Sequence, residues 1–222
     1  RRLDGSVSYA PRMNPPQQVV FAFLTVITIG SLLLMLPISS TGQLVRPIDA
    51  VFVATSATTV TGLSPVDTHI AWSGFGQLVI LVLIQLGGLG VMTFASIVGI
   101  ALTRRMGLQA RMVAAAESRT IDFDDARTVL TSIVRLVVVC EATVAVLLYL
   151  ALVCVHRLDP IGSIWDAVFH AVSAFNNAGF STFEGNLVRF VDSPWVCIPV
   201  ALAIITGCLL YTSPSPRDKR QS

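Results

Sequence analysis

Asp49–Ser64 reads DAVFVATSATTVTGLS, and Asp166–Ser181 reads DAVFHAVSAFNNAGFS. Nine of the sixteen positions are identical without a gap, at an offset of 117 residues. The shared positions include an aspartate, a serine and a glycine, so chance likeness between two apolar stretches does not explain the match. The chain therefore contains an internal repeat.

The sequence around the two copies is apolar enough to cross a membrane. Of 222 residues, 54% are hydrophobic and only 13% are charged, whereas soluble domains average about 25% charged residues. A soluble globule is therefore excluded, and the balanced net charge of +2 gives no reason to expect a nucleic-acid partner. About 20 apolar residues cross the hydrocarbon core. Such runs predict four spans: Val19–Leu36, Phe75–Leu102, Thr131–Val155 and Trp195–Tyr211.

The distribution of arginines orients these spans. Three arginines lie in the N-terminal tail and five in the connector 104–127, against one in segment 37–74 and two in segment 156–194. Because basic residues accumulate on the cytoplasmic side, the tail and the connector are expected inside the cell. Both copies of the repeat then lie on the outer side, each between two spans, so the repeats are parallel.

Each copy is too short to span and predicts a re-entrant helix followed by a non-helical loop. Asp49 and Asp166 are expected to cap these helices, whose negative C-terminal ends would favour a cation at mid-membrane. Non-helical backbone at that depth must line a cavity or be buried in protein, and glycine permits its unusual dihedral angles. The candidate ion-binding residues are Thr59, Val60, Thr61, Gly62, Asn176, Asn177, Ala178 and Gly179.

Four stretches resemble the Trk/Ktr/HKT superfamily of potassium and sodium transporters, and most of all its Ktr-type membrane subunit. SATTVTGLSPVDT (Ser56–Thr68) and SAFNNAGFS (Ser173–Ser181) are similar to the first two filter loops of that family. The family's first helix is similar to Asn14–Ser39, and its second to QLGGLGVMTF (Gln85–Phe94). The resemblance extends over about residues 13–210.

The resemblance implies an all-α membrane protein built from parallel span–pore-loop–span repeats of the potassium-channel type. Members carry four repeats around one filter, and this chain has two, so we expect it to be the N-terminal half of such a protein. The expected organisation is a cytoplasmic lead at 1–18, a first repeat at 19–103, a cytoplasmic connector at 104–127, an incomplete second repeat at 128–211, and a non-native tail at 212–222.

The implied function is potassium uptake, with the ion held by the backbone carbonyls of Val60, Thr61, Asn177 and Ala178. Potassium is then the transported ligand, no cofactor is expected on this chain, and no arrangement of residues indicates an enzyme. The resemblance further implies a multi-pass protein of the bacterial plasma membrane, in contact with lipid, forming a homodimer and binding a cytosolic nucleotide-binding regulatory subunit. Two alternatives stay open: a sodium-selective or unselective cation transporter of the same superfamily, and a two-repeat channel that dimerises.

Several residues near these motifs carry further predictions, and two of them, Asp67 and Glu141, have two possible roles each. Asp67 either attracts cations or caps the following helix. Glu141 is costly inside a span and is either functional or paired with Arg135. His170, which replaces Val53 in the repeat, is expected to pack within its helix. The glycines at 87, 88 and 90 lie in a charge-free span and indicate close helix packing.

Overall fold

The computed structural model describes residues 15–42, 45–105 and 123–212. These residues form helices and no β-strand, in agreement with the predicted all-α membrane protein. Short 3₁₀ turns lie at Pro37–Ser39 and Val188–Phe190, and α5 continues into a π-helical turn at Ala151–Val155. The helices are α1 (Pro15–Leu34), α2 (Pro47–Thr58), α3 (Thr68–Ala71), α4 (Gly74–Arg105), α5 (Phe123–Leu150), α6 (Pro160–Phe175) and α7 (Pro194–Thr212).

Four of the helices in the described part of the chain are long, and each overlaps one of the four predicted spans, although α5 begins at Phe123, well before the predicted Thr131. Val134–Val155 is apolar over a length sufficient to cross a membrane, and α1, α4 and α7 contribute the shorter apolar stretches Val19–Leu34, Gly74–Gly90 and Pro194–Leu209. Most of the predicted lead, connector and tail lies outside the described residues.

The prediction that Asp49 and Asp166 cap the short helices α2 and α6 is wrong. Asp49 lies in the first turn of α2, where its two oxygens accept hydrogen bonds from the Arg46 guanidinium at 2.9 and 3.0 Å, and this lowers the pKa of the carboxyl. The cap of α6 is Asp159, whose Oδ2 accepts from the Gly162 amide at 2.7 Å. With this cap, and with Pro160 at the first helical position, α6 begins upstream of the repeated motif.

The helices form two groups of three that correspond to the two copies of the repeat. Helix α2 packs against α1 and α4, helix α6 packs against α5 and α7, and α4 also contacts α6. The alanines shared by the two copies are all buried and recur at helical spacing, so they form one face of each short helix. Small residues allow close approach between membrane helices. They are Ala50, Ala54 and Ala57 on α2, and Ala167, Ala171 and Ala174 on α6.

Glycines on the long helices accept the C-terminal ends of the short ones. A Cβ atom on Gly87 of α4 would overlap the carbonyl oxygen of Thr58, the last residue of α2. A Cβ atom on Gly207 of α7 would overlap the carbonyl oxygen of Phe175, the last residue of α6. The predicted packing role of the α4 glycines is confirmed, and the same close contact places both loops that follow the short helices.

Candidate ion-binding loops

The loops that follow α2 and α6 have the same backbone conformation at matched positions. Val60 and Asn177 have φ angles of 55° and 60°, and Gly62 and Gly179 have φ angles of 80° and 71°. Thr61 lies between Val60 and Gly62, and Ala178 lies between Asn177 and Gly179; neither of these two residues has a positive φ. A β-branched residue such as Val60 is rare at positive φ, whereas asparagine adopts it more readily, so the agreement between Val60 and Asn177 indicates that both loops have the same shape. The backbone therefore alternates in handedness along each loop.

Hydrogen bonds to the ends of the short helices hold this shape. The Thr61 amide donates to the Ser56 carbonyl at 2.9 Å, and the matched Ala178 amide donates to the Ser173 carbonyl at 2.7 Å. The repeated serines also contact the residue after each glycine: the Ser56 hydroxyl accepts from the amide of residue 63 at 2.9 Å, and the Ser173 hydroxyl donates to the carbonyl of residue 180 at 2.7 Å. The serine shared by the copies therefore fastens each loop to its helix.

The amides of the loops are directed back to the helices, and their carbonyls are not. Among the described residues, no donor bonds the carbonyl oxygens of Val60, Thr61, Asn177 or Ala178. Backbone carbonyls removed from water need a partner. Carbonyl oxygens of this kind can replace the hydration shell of a cation.

The two loops meet at their glycines. A Cβ atom on Gly62 would lie 2.6 Å from the Ala178 carbonyl oxygen, and a Cβ atom on Gly179 would lie 3.5 Å from the Gly62 Cα atom. The Gly179 carbonyl oxygen also accepts from the Asn186 side-chain amide at 3.4 Å. The structure thus brings predicted residues from both copies into direct contact, although they are more than a hundred positions apart in the chain.

The environments of the two loops differ. The side chains of Thr59 and Thr61 in the first loop are exposed, whereas the matched Asn176 and Ala178 in the second loop are 1% and 0% exposed. The first loop forms its side-chain hydrogen bond locally, between the two threonine hydroxyls at 2.7 Å. In the second loop Asn176 and Ala178 are enclosed by the surrounding helices, while Gly179 is exposed.

Glu141 lies behind the second loop, and of its two predicted roles the ion pair with Arg135 is wrong. The Asn176 side-chain amide donates to Glu141 Oε1 at 3.0 Å, and the Gln85 side-chain amide donates to Oε2 at 3.4 Å. Arg135 is exposed. Sequence reasoning missed Gln85, whose signal was a polar side chain within a charge-free span.

His170 packs beside the second loop, as predicted. Its Nδ1 atom lies 2.7 Å from the Asp166 carbonyl oxygen and its Nε2 atom 2.8 Å from the Ser181 hydroxyl, and its ring stacks on Phe183 at 4.8 Å. The histidine is 4% exposed. The matched Val53 is buried without hydrogen-bonding capacity, so this polar connection belongs to the second copy alone.

Asp67 connects the two copies of the repeat beyond their loops. Its Oδ1 atom accepts from the His69 amide at 2.8 Å and thereby caps α3. Its Oδ2 atom accepts from the Gly185 amide at 3.0 Å, across 118 residues of chain. The predicted capping role is confirmed, and the carboxylate also holds the segment around Gly185 of the second copy.

Comparison with known proteins agrees with these features. A family profile described as TrkH, cation transport protein, matches residues 5–213. The Ktr system potassium uptake protein B of Bacillus subtilis is 42% identical over 208 residues, which are 90% of this chain and 44% of the relative. The protein of the same name from Vibrio alginolyticus is 34% identical over 89% of this chain and 43% of its own length. The potassium/sodium uptake protein NtpJ of Enterococcus hirae is 32% identical over 89% and 44%.

The chain thus spans less than half the length of these curated relatives. The family is one of transporters and not of enzymes, and the resemblance of the chain to Trk/Ktr membrane subunits is confirmed. The profile match extends over nearly all of the sequence, including both loops and all four long helices. The chain therefore belongs to the TrkH family of cation transport proteins.

Proposed function

We propose that the full-length protein takes up potassium through a selectivity filter to which Thr59–Gly62 and Asn176–Gly179 contribute. The observation that carries the proposal is the matched backbone of the two loops, with alternating φ and with carbonyl oxygens that no described residue bonds. The loops also touch at Gly62 and Gly179, as two segments lining one narrow path would.

The chemistry follows from the carbonyls. A potassium ion that leaves water needs oxygen ligands to replace its hydration shell, and rings of backbone carbonyls supply them. The proposed ligands are the carbonyl oxygens of Val60, Thr61, Asn177 and Ala178. Helices α2 and α6 end at the loops, so the partial negative charge of their C-termini adds to the attraction for a cation.

The proposed architecture is the span–pore-loop–span repeat. The first repeat, proposed at 19–103, corresponds to α1, α2 and α4, and the second, proposed at 128–211, corresponds to α5, α6 and α7; the long helices extend a few residues beyond these bounds. Two loops supply half of a fourfold site, so the remaining ligands would come from the rest of the full-length protein. The relatives, more than twice as long as the matched region, support this reading.

Two relatives are named potassium uptake proteins, and one is named a potassium/sodium uptake protein. The third name keeps the sodium-selective or unselective transporter as a second candidate. Complementation of a potassium-uptake-deficient bacterium at low external potassium tests uptake, and potassium and sodium flux through the reconstituted full-length protein separates the candidates. Failure of a well-expressed, membrane-inserted protein to complement would reject the proposal.

The two-repeat channel that dimerises makes a different prediction. A fragment of residues 1–222 alone should not conduct under our proposal, because half of the carbonyl ligands would be missing. Selective potassium flux from liposomes that contain only this fragment would favour the dimeric channel instead.

We propose that the protein lies in the bacterial plasma membrane as a homodimer that binds a cytosolic nucleotide-binding subunit. Exposed apolar side chains on α5, such as Val138, Val139, Val146 and Leu147, suit lipid or further helices. Labelling with a membrane-impermeant thiol reagent tests the orientation. Ser64→Cys should label from outside intact cells, and Ser118→Cys, in the connector outside the described residues, should not.

A further inference from the structure

A closed ring of hydrogen bonds joins α4, α5 and α6 behind the second loop. The Asn176 amide nitrogen donates to Glu141 Oε1 at 3.0 Å and to Gln85 Oε1 at 3.2 Å. The Gln85 amide nitrogen donates to Glu141 Oε2 at 3.4 Å, which closes the ring. Glu141 and Asn176 are 8% and 1% exposed. A carboxylate at such a place is costly unless hydrogen-bonded, and here each of its oxygens has an amide donor.

The ring fixes the orientation of the Asn176 side chain. Its nitrogen faces three acceptors, because the Val172 carbonyl oxygen lies 3.0 Å away in addition to the two ring members. Among the described residues its oxygen has no hydrogen-bond donor, and it lies so close to Gly88 that a Cβ atom there would overlap it. Reversal of the amide would place its oxygen against acceptors only, so the carboxyl of Glu141 helps to decide which way it points.

The ring is absent from the first copy. The residue matched to Asn176 is Thr59, which is exposed and whose hydroxyl bonds within its own segment, to the Thr55 carbonyl and the Thr61 hydroxyl. Helix α1 contains no aspartate or glutamate. The first loop nevertheless has the same backbone conformation as the second. In the first copy a loop of this shape therefore forms without a carboxylate behind it.

We propose that Glu141 is a positioning residue for the proposed filter. It acts through Asn176, the first residue of the second loop, and holds the carbonyls of Asn177 and Ala178 at the spacing that favours potassium over sodium. Because amide donors occupy both carboxyl oxygens, Glu141 acts by accepting hydrogen bonds and not by contacting the ion. This inference rests on the proposed function, since ion preference is the property that it explains.

Three variants of the full-length protein separate positioning from charge and from general damage to α5. Glu141→Leu removes the acceptor and leaves a side chain of similar size. Glu141→Gln removes the charge and keeps a side-chain carbonyl that can accept from Asn176. Ala142→Leu changes the next residue, which is exposed, and serves as the matched control.

Two measurements are made on each variant. Hydrogen–deuterium exchange reports the protection of the Ala178 amide, which donates to Ser173, with the matched Thr61 amide of the first loop as internal reference. Flux into liposomes gives the potassium-to-sodium ratio. In Glu141→Leu we expect exchange at Ala178 to accelerate about tenfold while Thr61 is unchanged, and the flux ratio to fall about tenfold. Glu141→Gln and Ala142→Leu should stay within about twofold of the parent protein.

Each of the other outcomes contradicts a specific part of the proposal. Unchanged exchange at Ala178 in Glu141→Leu would overturn the positioning role, whatever the flux. Faster exchange with an unchanged ratio would overturn the link to ion preference. Loss of preference in Glu141→Gln equal to that in Glu141→Leu would show that charge acts and not hydrogen bonding. A parent protein without potassium flux would reject the proposed function, and the exchange experiment would still decide whether Glu141 positions the loop.

Discussion

Replacing Gly62 by alanine should damage ion preference more than the same change at the matched Gly179. Both residues have positive φ, so a side chain costs roughly 1–2 kcal/mol at either position. The two positions differ in the room available for a new Cβ atom. The new Cβ atom on Gly62 would lie 2.6 Å from the Ala178 carbonyl oxygen, whereas that on Gly179 would meet its nearest atom at 3.5 Å.

The displacement in the Gly62 variant falls on a proposed ligand. To restore an ordinary contact of 3.4 Å, the Ala178 carbonyl and Gly62 must separate by about 0.8 Å. We take the contact between the Ala178 carbonyl and the ion to be worth as much as a hydrogen bond to a charged group, about 1.5–3 kcal/mol. Its loss would correspond to roughly a ten- to hundredfold change in an equilibrium constant. We expect the potassium-to-sodium flux ratio to fall by that factor in Gly62→Ala, and in Gly62→Ser, which introduces the same Cβ atom.

Gly185 supplies the matched control. Its φ is 67°, and a Cβ atom there would meet no atom within 4 Å, so Gly185→Ala has the dihedral cost without the contact. Flux of both ions is measured on the reconstituted full-length variants, and melting temperature is measured in detergent. Equal ratios in Gly62→Ala and Gly185→Ala would refute the reasoning, because strain alone would then account for the result.

Two further predictions concern packing and charge. Gly88→Ala should sharply reduce the yield of monodisperse protein in size-exclusion chromatography, because its Cβ atom would overlap the Asn176 side chain. Gly90→Ala is the control, since its Cβ atom would meet only the Phe23 ring of α1, at 3.3 Å, and needs a small shift of that ring. Equal yields of the two variants would contradict this prediction. Arg46 lowers the pKa of Asp49 below its ordinary 3.8, so the pair stabilises the fold above that value and the benefit is lost as pH falls through the lowered pKa. The melting temperatures of parent and Arg46→Gln should therefore differ at neutral pH and converge in acid, and a constant difference would argue against this pair.

The location of the two loops could be predicted from the sequence because they lie in a repeated motif that contains glycine. The repeat marks both loops, and its glycines identify positions that need unusual dihedral angles. The positive φ of Val60 could not be predicted in this way, since a β-branched residue is disfavoured there. That conformation is imposed by hydrogen bonds to the helix ends, which become visible when both loops are compared in three dimensions.

Other features depend on helix starts and on rotation about helix axes, which single motifs do not define. Asp166 was expected to cap α6, but Asp159 is the cap and Pro160 starts the helix, upstream of the repeated motif. The ring that Glu141 forms with Gln85 and Asn176 joins residues 35 to 91 positions apart. Its prediction requires the relative rotation of three helices, for which the apolar pattern of a membrane span gives little information.

Crystals of the full-length protein soaked in thallium(I), a heavy monovalent cation that can stand in for potassium, would test the central claim most directly. Anomalous scattering would then locate the ion relative to the two loops. We expect a peak within coordination distance of the carbonyl oxygens of Val60, Thr61, Asn177 and Ala178. A transport-competent protein in which thallium binds elsewhere, with no peak at these four oxygens, would contradict the account.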